Sequence, residues 1–251
     1  MRRLIKFILL ISIVFVGCSP YGEISRNYRT IEFSGLTWVV KQGEEKLGPG
    51  PNYFGGGTDQ VWVDNQGFLH LKLKRINGRW NCAEVYTTRK FGSGKYSFQV
   101  ASRIDNIDPN IVVGLFTWND RMAYHNQEVD IEFSKWGQPG NRNTQYVVQP
   151  YTIQRNMNRF NTELNGSYST HEFTIGPRFV FFESYHGHPE RPLPGTGINN
   201  WLYHCRKGPF VRNAEIRINV WLFRGLPPSD GQEQEVIIRR VKYTPLMLLW
   251  D

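Results

Sequence analysis

The chain has 251 residues, 40% of them hydrophobic and 14% aromatic, and a formal net charge of +8. That length and apolar content suffice for one sizeable core, while three cysteines are too few for a disulfide-framework protein. The positive charge is dispersed, with Lys72, Lys74, Arg75 and Arg79 in one group and Arg239, Arg240 and Lys242 in another; solvated strand faces account for it better than a nucleic-acid-binding stripe.

In chain order the first feature is an export leader. Arg2, Arg3 and Lys6 precede an apolar run from Phe7 to Val16, which is too short to cross a bilayer comfortably and reads as a signal peptide. The run ends in "FVGCSP" (15–20), where Gly17-Cys18 resembles the lipobox of bacterial lipoproteins. That pattern implies lipidation at Cys18 and a membrane anchor. Phe15 stands where leucine is usual, so ordinary cleavage stays open as the other outcome. Losing residues 1–17 lowers the net charge from +8 to +5. The expected organisation is a leader (1–17), a tether (18–34) and one domain (35–251). The expected location is outside the cytoplasm, on the bacterial envelope or secreted, which leaves no role for nucleic acid.

The mature part reads as strand after strand. "QVWVD", "FLHLKLKRI", "CAEVYTT", "GKYSFQVASRI", "VVGLFTW", "EVDIEF", "TQYVVQPY", "HEFTI", "FVFFESY", "EIRINVWLF" and "QEVIIRRVKY" follow one another with almost no helical periodicity. Turns such as Asn77-Gly78 and Asn165-Gly166 punctuate them. The fold class is all-β, a two-sheet antiparallel sandwich or jelly roll. Two Gly/Pro-rich stretches, 43–57 and 186–200, read as long irregular loops rimming a binding face. Cys82 and Cys205 either pair across a long loop or remain separate thiols, and neither has a CxxC neighbour that would suggest zinc. His186, His188 and His204 read as loop residues rather than metal ligands.

In "HNQEVDIEFSKW" (125–136) three carboxylates, Glu128, Asp130 and Glu132, alternate with Val129, Ile131 and Phe133. Strand geometry puts the acids on one face and the apolar trio on the other. One reading is a solvated strand face. The other is a reactive site, because like charges about 6–7 Å apart raise one another's pKa and keep one carboxyl protonated beside an ionised neighbour. Glu128 and Glu132 have Cα atoms about 13 Å apart, and side chains leaning together can reach the ~5–5.5 Å of a retaining glycosidase.

"EVDIEF" resembles the Glu-x-Asp-x-Glu signature of glycoside hydrolase family 16, in the form without the extra bulge residue that bacterial lichenases carry. "NCAEVYTTRKFGSGKYSFQV" (81–100), "GLFTW" (114–118), "TQYVVQPY" (144–151), "THEFTIGPRFVFFESYHG" (170–187), "RINVWLFRG" (217–225) and "RVKYTP" (240–245) are similar to its flanking strands in order, so the likeness spans roughly residues 35–245. It implies a concanavalin-like jelly roll with a cleft on the concave sheet. Glu128 would be the nucleophile, Asp130 its helper and Glu132 the acid/base. Glu84, Trp118, Trp136, Gln145, Gln149, Asn219 and Trp221 would bind substrate. The implied activity is retaining endo-hydrolysis, or transglycosylation, of a β-linked polysaccharide such as a β-glucan, by a monomer.

Departures from the family narrow this. "GLTWVVK" (35–41) has no cysteine to pair with Cys82, and Arg239-Arg240-Val241 replaces the stretch holding a calcium-binding aspartate, so no calcium or other cofactor is expected. Val147 replaces a polar residue, so lichenan is not assigned as substrate. "SKWGQPGNRN" (134–143) is an unusual loop whose Lys135, Trp136 and Arg142 are placed to meet a sugar or an anionic group. A non-catalytic carbohydrate-binding lipoprotein on the same sandwich is the alternative.

Overall fold

The computed structural model describes residues 28–121, 127–205 and 211–246; the leader and Cys18 lie outside the described residues. These residues form seventeen strands, numbered in chain order, and two short 3-10 turns. One sheet runs in spatial order β12 (Met157–Phe160), β11 (Thr144–Val148), β10 (Val129–Phe133), β9 (Ile111–Trp118), β16 (Glu215–Leu222), β7 (Arg79–Thr87), β2 (Leu36–Val40) and β1 (Thr30–Phe33). The second runs β15 (Gly197–His204), β14 (Phe179–His186), β13 (Ser169–Ile175), β8 (Gly94–Val100), β17 (Gln234–Pro245), β6 (Leu69–Ile76) and β5 (Val61–Val63). Within each sheet every pairing is antiparallel. The β6–β7 hairpin joins the two, and β3 (Gly43–Leu47) with β4 (Asn52–Phe54) extends it, β4 pairing parallel to β7.

Alternation in the sequence explains why the sheets face each other. In β6, Leu69, Leu71 and Leu73 are fully buried, while His70, Lys72 and Lys74 lean outward. β8 repeats the pattern with Tyr96, Phe98 and Val100. From the opposite sheet, Val129, Ile131 and Phe133 enter the same core, each with no exposed surface. Burying such side chains gives roughly 1.5–3 kcal/mol each, so the register of β10 is set from its apolar side.

The structure adds strands where the sequence reads as loop or tether. Thr30–Phe33, expected in the tether, is β1 and pairs with β2 through Ile31 and Trp38. The stretch 43–57 holds β3 and β4, and the end of 186–200 opens β15. β3 is an edge strand with mostly polar, exposed side chains, held by backbone pairing, and it leaves no apolar alternation to read. β15 is an edge strand whose Ile198, Trp201 and Tyr203 are half-buried against the core while Leu202 and His204 are exposed. His186 and His204 end β14 and β15, and only His188 is a loop residue, its Nε2 2.8 Å from the Val100 carbonyl. Cys82, buried on β7, and Cys205, which follows β15 on the other sheet, are both free thiols.

Candidate active site

The outward face of the first sheet is where alternation leaves its polar residues. Glu128 immediately precedes β10, and Asp130 and Glu132 lie on it. Hydrogen-bond register carries that face sideways. Glu132 stands opposite Gly114 of β9, Gly114 opposite Asn219 of β16, and Asn219 opposite Glu84 of β7. One row higher, Asp130 stands opposite Phe116, and Phe116 opposite Arg217. These rows floor a cavity of about 430 Å³, which all three acids line together with Glu84, Trp118, Asn219 and Trp221. Gly114 keeps the floor open, since a Cβ there would lie 2.6 Å from Asn219 Oδ1.

Each acid of β10 has its own support. Gln149 Nε2 donates to Asp130 Oδ2 at 3.1 Å, and Gln145 Nε2 donates to Glu132 Oε2 at 2.6 Å. Gln145 is itself held by Arg159 Nε, which donates to its Oε1 at 2.7 Å. The Val129 amide donates to Thr117 Oγ1 at 3.2 Å and anchors the backbone beside Glu128.

Burial is the main reason that all three carboxyls hold their protons more tightly than usual. It pushes Glu128 up to about 8, with the Glu132 charge adding and the Asp130 hydrogen bond and the Arg217 charge opposing. It pushes Glu132 up to about 7, opposed by Gln145 and Arg159. Asp130 is 2% exposed and lies between the two glutamates; burial first and then both neighbouring charges drive it well above the carboxylate range. The Asp130–Glu128 hydrogen bond raises Asp130 and lowers Glu128. Asp130 is therefore the donor, and Glu128 is the member of that pair that ionises first. The row can present one carboxylate and one proton donor to a single bound molecule.

The opposite wall is an ion-pair network that sequence reasoning missed. Arg217 donates from Nη1 to Glu84 Oε1 at 3.0 Å and from Nη2 to Glu215 Oε2 at 2.6 Å and Asp120 Oδ1 at 3.1 Å. Lys41 Nζ lies 3.0 Å from Glu84 Oε2, which Asn219 Nδ2 also reaches at 3.3 Å. The signal was available: Glu215, Arg217, Asn219 and Trp221 alternate along one strand as the acids do.

Several expected ligand residues take other places. Glu84 lines the cavity but is 1% exposed, with both oxygens engaged by Lys41, Arg217 and Asn219, which line it too. Gln145 and Gln149 stand beside the acids and hold them, outside the cavity lining. Trp118 lines the cavity, its Nε1 donating to Asp120 Oδ1 at 2.8 Å. Trp136 lies outside it, edge-on to Trp221 with ring centroids 6.4 Å apart. Arg142 donates to the Arg159 carbonyl, and neither it nor Lys135 lines the cavity. Where the resemblance would put calcium, Arg239 meets His188 Nδ1 at 3.2 Å and Arg240 faces Glu190 at 3.9 Å, a cationic pair unsuited to ligating a divalent ion.

No family model matches the chain, and no curated protein matches it. Solved structures do. A β-glucanase of Bacillus licheniformis is 17% identical with a TM-score of 0.59, covering 86% of this chain and 95% of its own. An immunostimulatory antigen and pseudo β-1,3-glucanase of Mycobacterium tuberculosis is 16% identical with a TM-score of 0.62, covering 82% and 91%. A structure from work on endo-acting O-glycanases of human gut bacteria that initiate mucin breakdown is 12% identical with a TM-score of 0.60, covering 88% and 96%. The chain therefore has the β-sandwich fold of these proteins over nearly all of its described length.

Proposed function

We propose that this chain is a retaining endo-glycosidase, acting by hydrolysis or transfer on a β-linked polysaccharide such as a β-glucan. The observation that carries the reading is the row of three acids lining one cavity, each held above the ordinary carboxylate range by burial. Similarity in fold to β-glucanases supports it. In this reading the reactive form has Glu128 ionised and Glu132 protonated, a minority of the singly ionised row because Glu128 is lifted further than Glu132. Glu132 protonates the glycosidic oxygen while Glu128 attacks the anomeric carbon. The leaving saccharide departs with that proton. Water, or an acceptor hydroxyl, then gives its proton to Glu132 and displaces Glu128, restoring both groups. Asp130 donates its hydrogen bond to the Glu128 carboxylate and fixes its rotamer. Asn219 lines the cavity beside the acids, and Trp118 and Trp221 offer faces for pyranose rings. This chemistry needs only carboxyls, so no cofactor belongs to the proposal.

The test is reducing-end release from a panel of β-glucans, galactans and xyloglucan, with the anomeric form of the first product followed by NMR. Retained configuration by the parent, and loss of turnover in a Glu128→Gln variant that melts no lower than the parent, are the expected results. Inverted product, or parental rates in Glu128→Gln, would rule the mechanism out. The leader adds the proposal that a monomer works outside the cytoplasm, held by lipid at Cys18; mass spectrometry of the mature N-terminus decides between lipidation and plain cleavage.

A further inference from the structure

A second cavity of about 300 Å³ opens where β10 runs on past Glu132 into the 134–143 loop. Trp136, Phe223, Arg159, Arg224 and Leu226 line it. Trp136 is the partition: its ring meets Trp221 of the main cavity edge-on and Phe223 at 5.5 Å and 86°. Arg159 Cζ lies 5.8 Å from the Trp136 ring and Arg224 Cζ 5.0 Å from the Phe223 ring. Among the described residues neither guanidinium makes a salt bridge: Arg159 donates to the neutral Gln145, its charge reaching Glu132 only through space, and Arg224 rests on an aromatic face. In the main cavity, by contrast, Arg217 and Lys41 are neutralised by acids.

Backbone strain converges on the same place. Two of the five non-glycine residues with positive φ among the described residues are Trp136 (φ 53°) and Arg224 (φ 56°). The other three are Ser34, Asn77 and Asn213, short polar residues suited to turns, and asparagine in particular tolerates this conformation. A tryptophan and an arginine do not adopt it readily, and such outliers persist where the surroundings impose them, often at ligand sites. Here they aim a ring and a guanidinium into one cavity.

We infer that this second cavity binds an anionic substituent, a sulfate ester or a carboxylate, borne by a sugar unit of the substrate beside the cleaved bond. Aromatic faces meet the pyranose ring and Arg159 and Arg224 meet the charge, the forked geometry of guanidinium matching both oxyanions. The inference rests on the glycosidase reading for the nature of its ligand, a saccharide, and is tested without turnover.

The probes are glucose 6-sulfate, glucuronate and glucose, titrated into the chain while the Trp136 indole N–H is followed by NMR, its signal identified by its absence in Trp136→Phe. Either anion should shift that signal at concentrations where glucose does not, and the arm that does so names the substituent. Arg224→Asn removes the charge with a residue that accepts left-handed backbone, so the fold is kept. It should weaken the anion about tenfold, the factor that one charge-assisted hydrogen bond contributes. Lys242→Met, the loss of an equal charge on the other sheet, should leave binding unchanged. A signal that moves equally with glucose, that neither anion moves, or that Lys242→Met weakens as much as Arg224→Asn does would overturn the inference. Anion binding in a chain that cleaves no polysaccharide would instead count against the proposed function alone.

Discussion

Replacing Glu132 by glutamine should stabilise the fold in alkaline solution while abolishing turnover. Burial lifts this carboxyl from the ordinary glutamate value of 4.5 to about 7. At 1.36 kcal/mol per unit this corresponds to about 3 kcal/mol. The sign follows from the direction of the shift. The unfolded chain releases the proton near pH 4.5, whereas the folded chain holds it to about pH 7, so stability falls across that window and stays low above it. Glutamine carries no charge at any of these pH values, and its carbonyl can accept the 2.6 Å hydrogen bond that Gln145 donates. Removing the Glu132 charge also relieves Glu128 and Asp130, which it raises, and that acts in the same sense. Calorimetric melting of parent and Glu132→Gln should therefore coincide near pH 4 and separate by about 6–12 °C near pH 8, with the variant higher, at roughly 2–4 °C per kcal/mol for a domain of this size. A gap of the same size at both pH values would refute the argument, because the acid would then not be desolvated in the folded chain.

The rate of polysaccharide cleavage should trace a bell against pH with limbs near 7 and 8, belonging to the coupled acids as a set. Gln145→Leu removes the donor to Glu132 and should move the lower limb upward by about one pH unit; limbs below pH 5, or no movement, would place the carboxyls in solvent. Arg217→Met leaves Glu84 and Glu215 buried without their guanidinium and should cost about 3 kcal/mol in urea unfolding, with a loss under ~1 kcal/mol showing the network to be dispensable. Gly114→Ala puts a methyl against the tip of the Asn219 side chain, which can rotate away; stability should change by under about 1 kcal/mol while KM rises, and an unchanged KM would mean that Asn219 does not reach substrate.

The sequence carried the parts of this molecule that depend on alternation. "VDIEF" and "LHLKLKRI" each sort polar from apolar at every second residue, and the strands, their faces and the shared core follow from that period. "GEEKL" does not sort in this way, because this edge strand satisfies its backbone on one side and leaves its side chains largely in water; in "GINNWLYH" the pair Asn199-Asn200 interrupts the pattern between Ile198 and the core-facing Trp201 and Tyr203. Site roles divide along a similar line. That Glu128, Asp130 and Glu132 share a face is legible in β10 alone. That Gln145 holds Glu132, and that Arg217 saturates Glu84, depends on which residues stand opposite each other across strands, and a pairing set by register over 13 residues in the first case and 133 in the second leaves no mark in either strand alone. Trp136 was legible only as a member of an unusual loop beside Glu132; its left-handed backbone and its place at the partition between two cavities have no signal in the sequence.

Register also explains how a fold can hold three mutually repelling acids in a row. Slipping β10 by one residue would turn Glu128, Asp130 and Glu132 from the cavity into the core between the sheets, and would turn Val129, Ile131 and Phe133 out of that core. Withholding a charge from Glu132 costs about 3 kcal/mol once the pH exceeds 7. Exposing the apolar trio, each member fully buried, would cost roughly 1.5–3 kcal/mol per side chain, and both neighbouring ladders would break with it. The slip relieves none of the first cost and adds the second, so the strand keeps its register. The acids stay desolvated and keep their raised pKa values because the residues between them are bound to the opposite sheet.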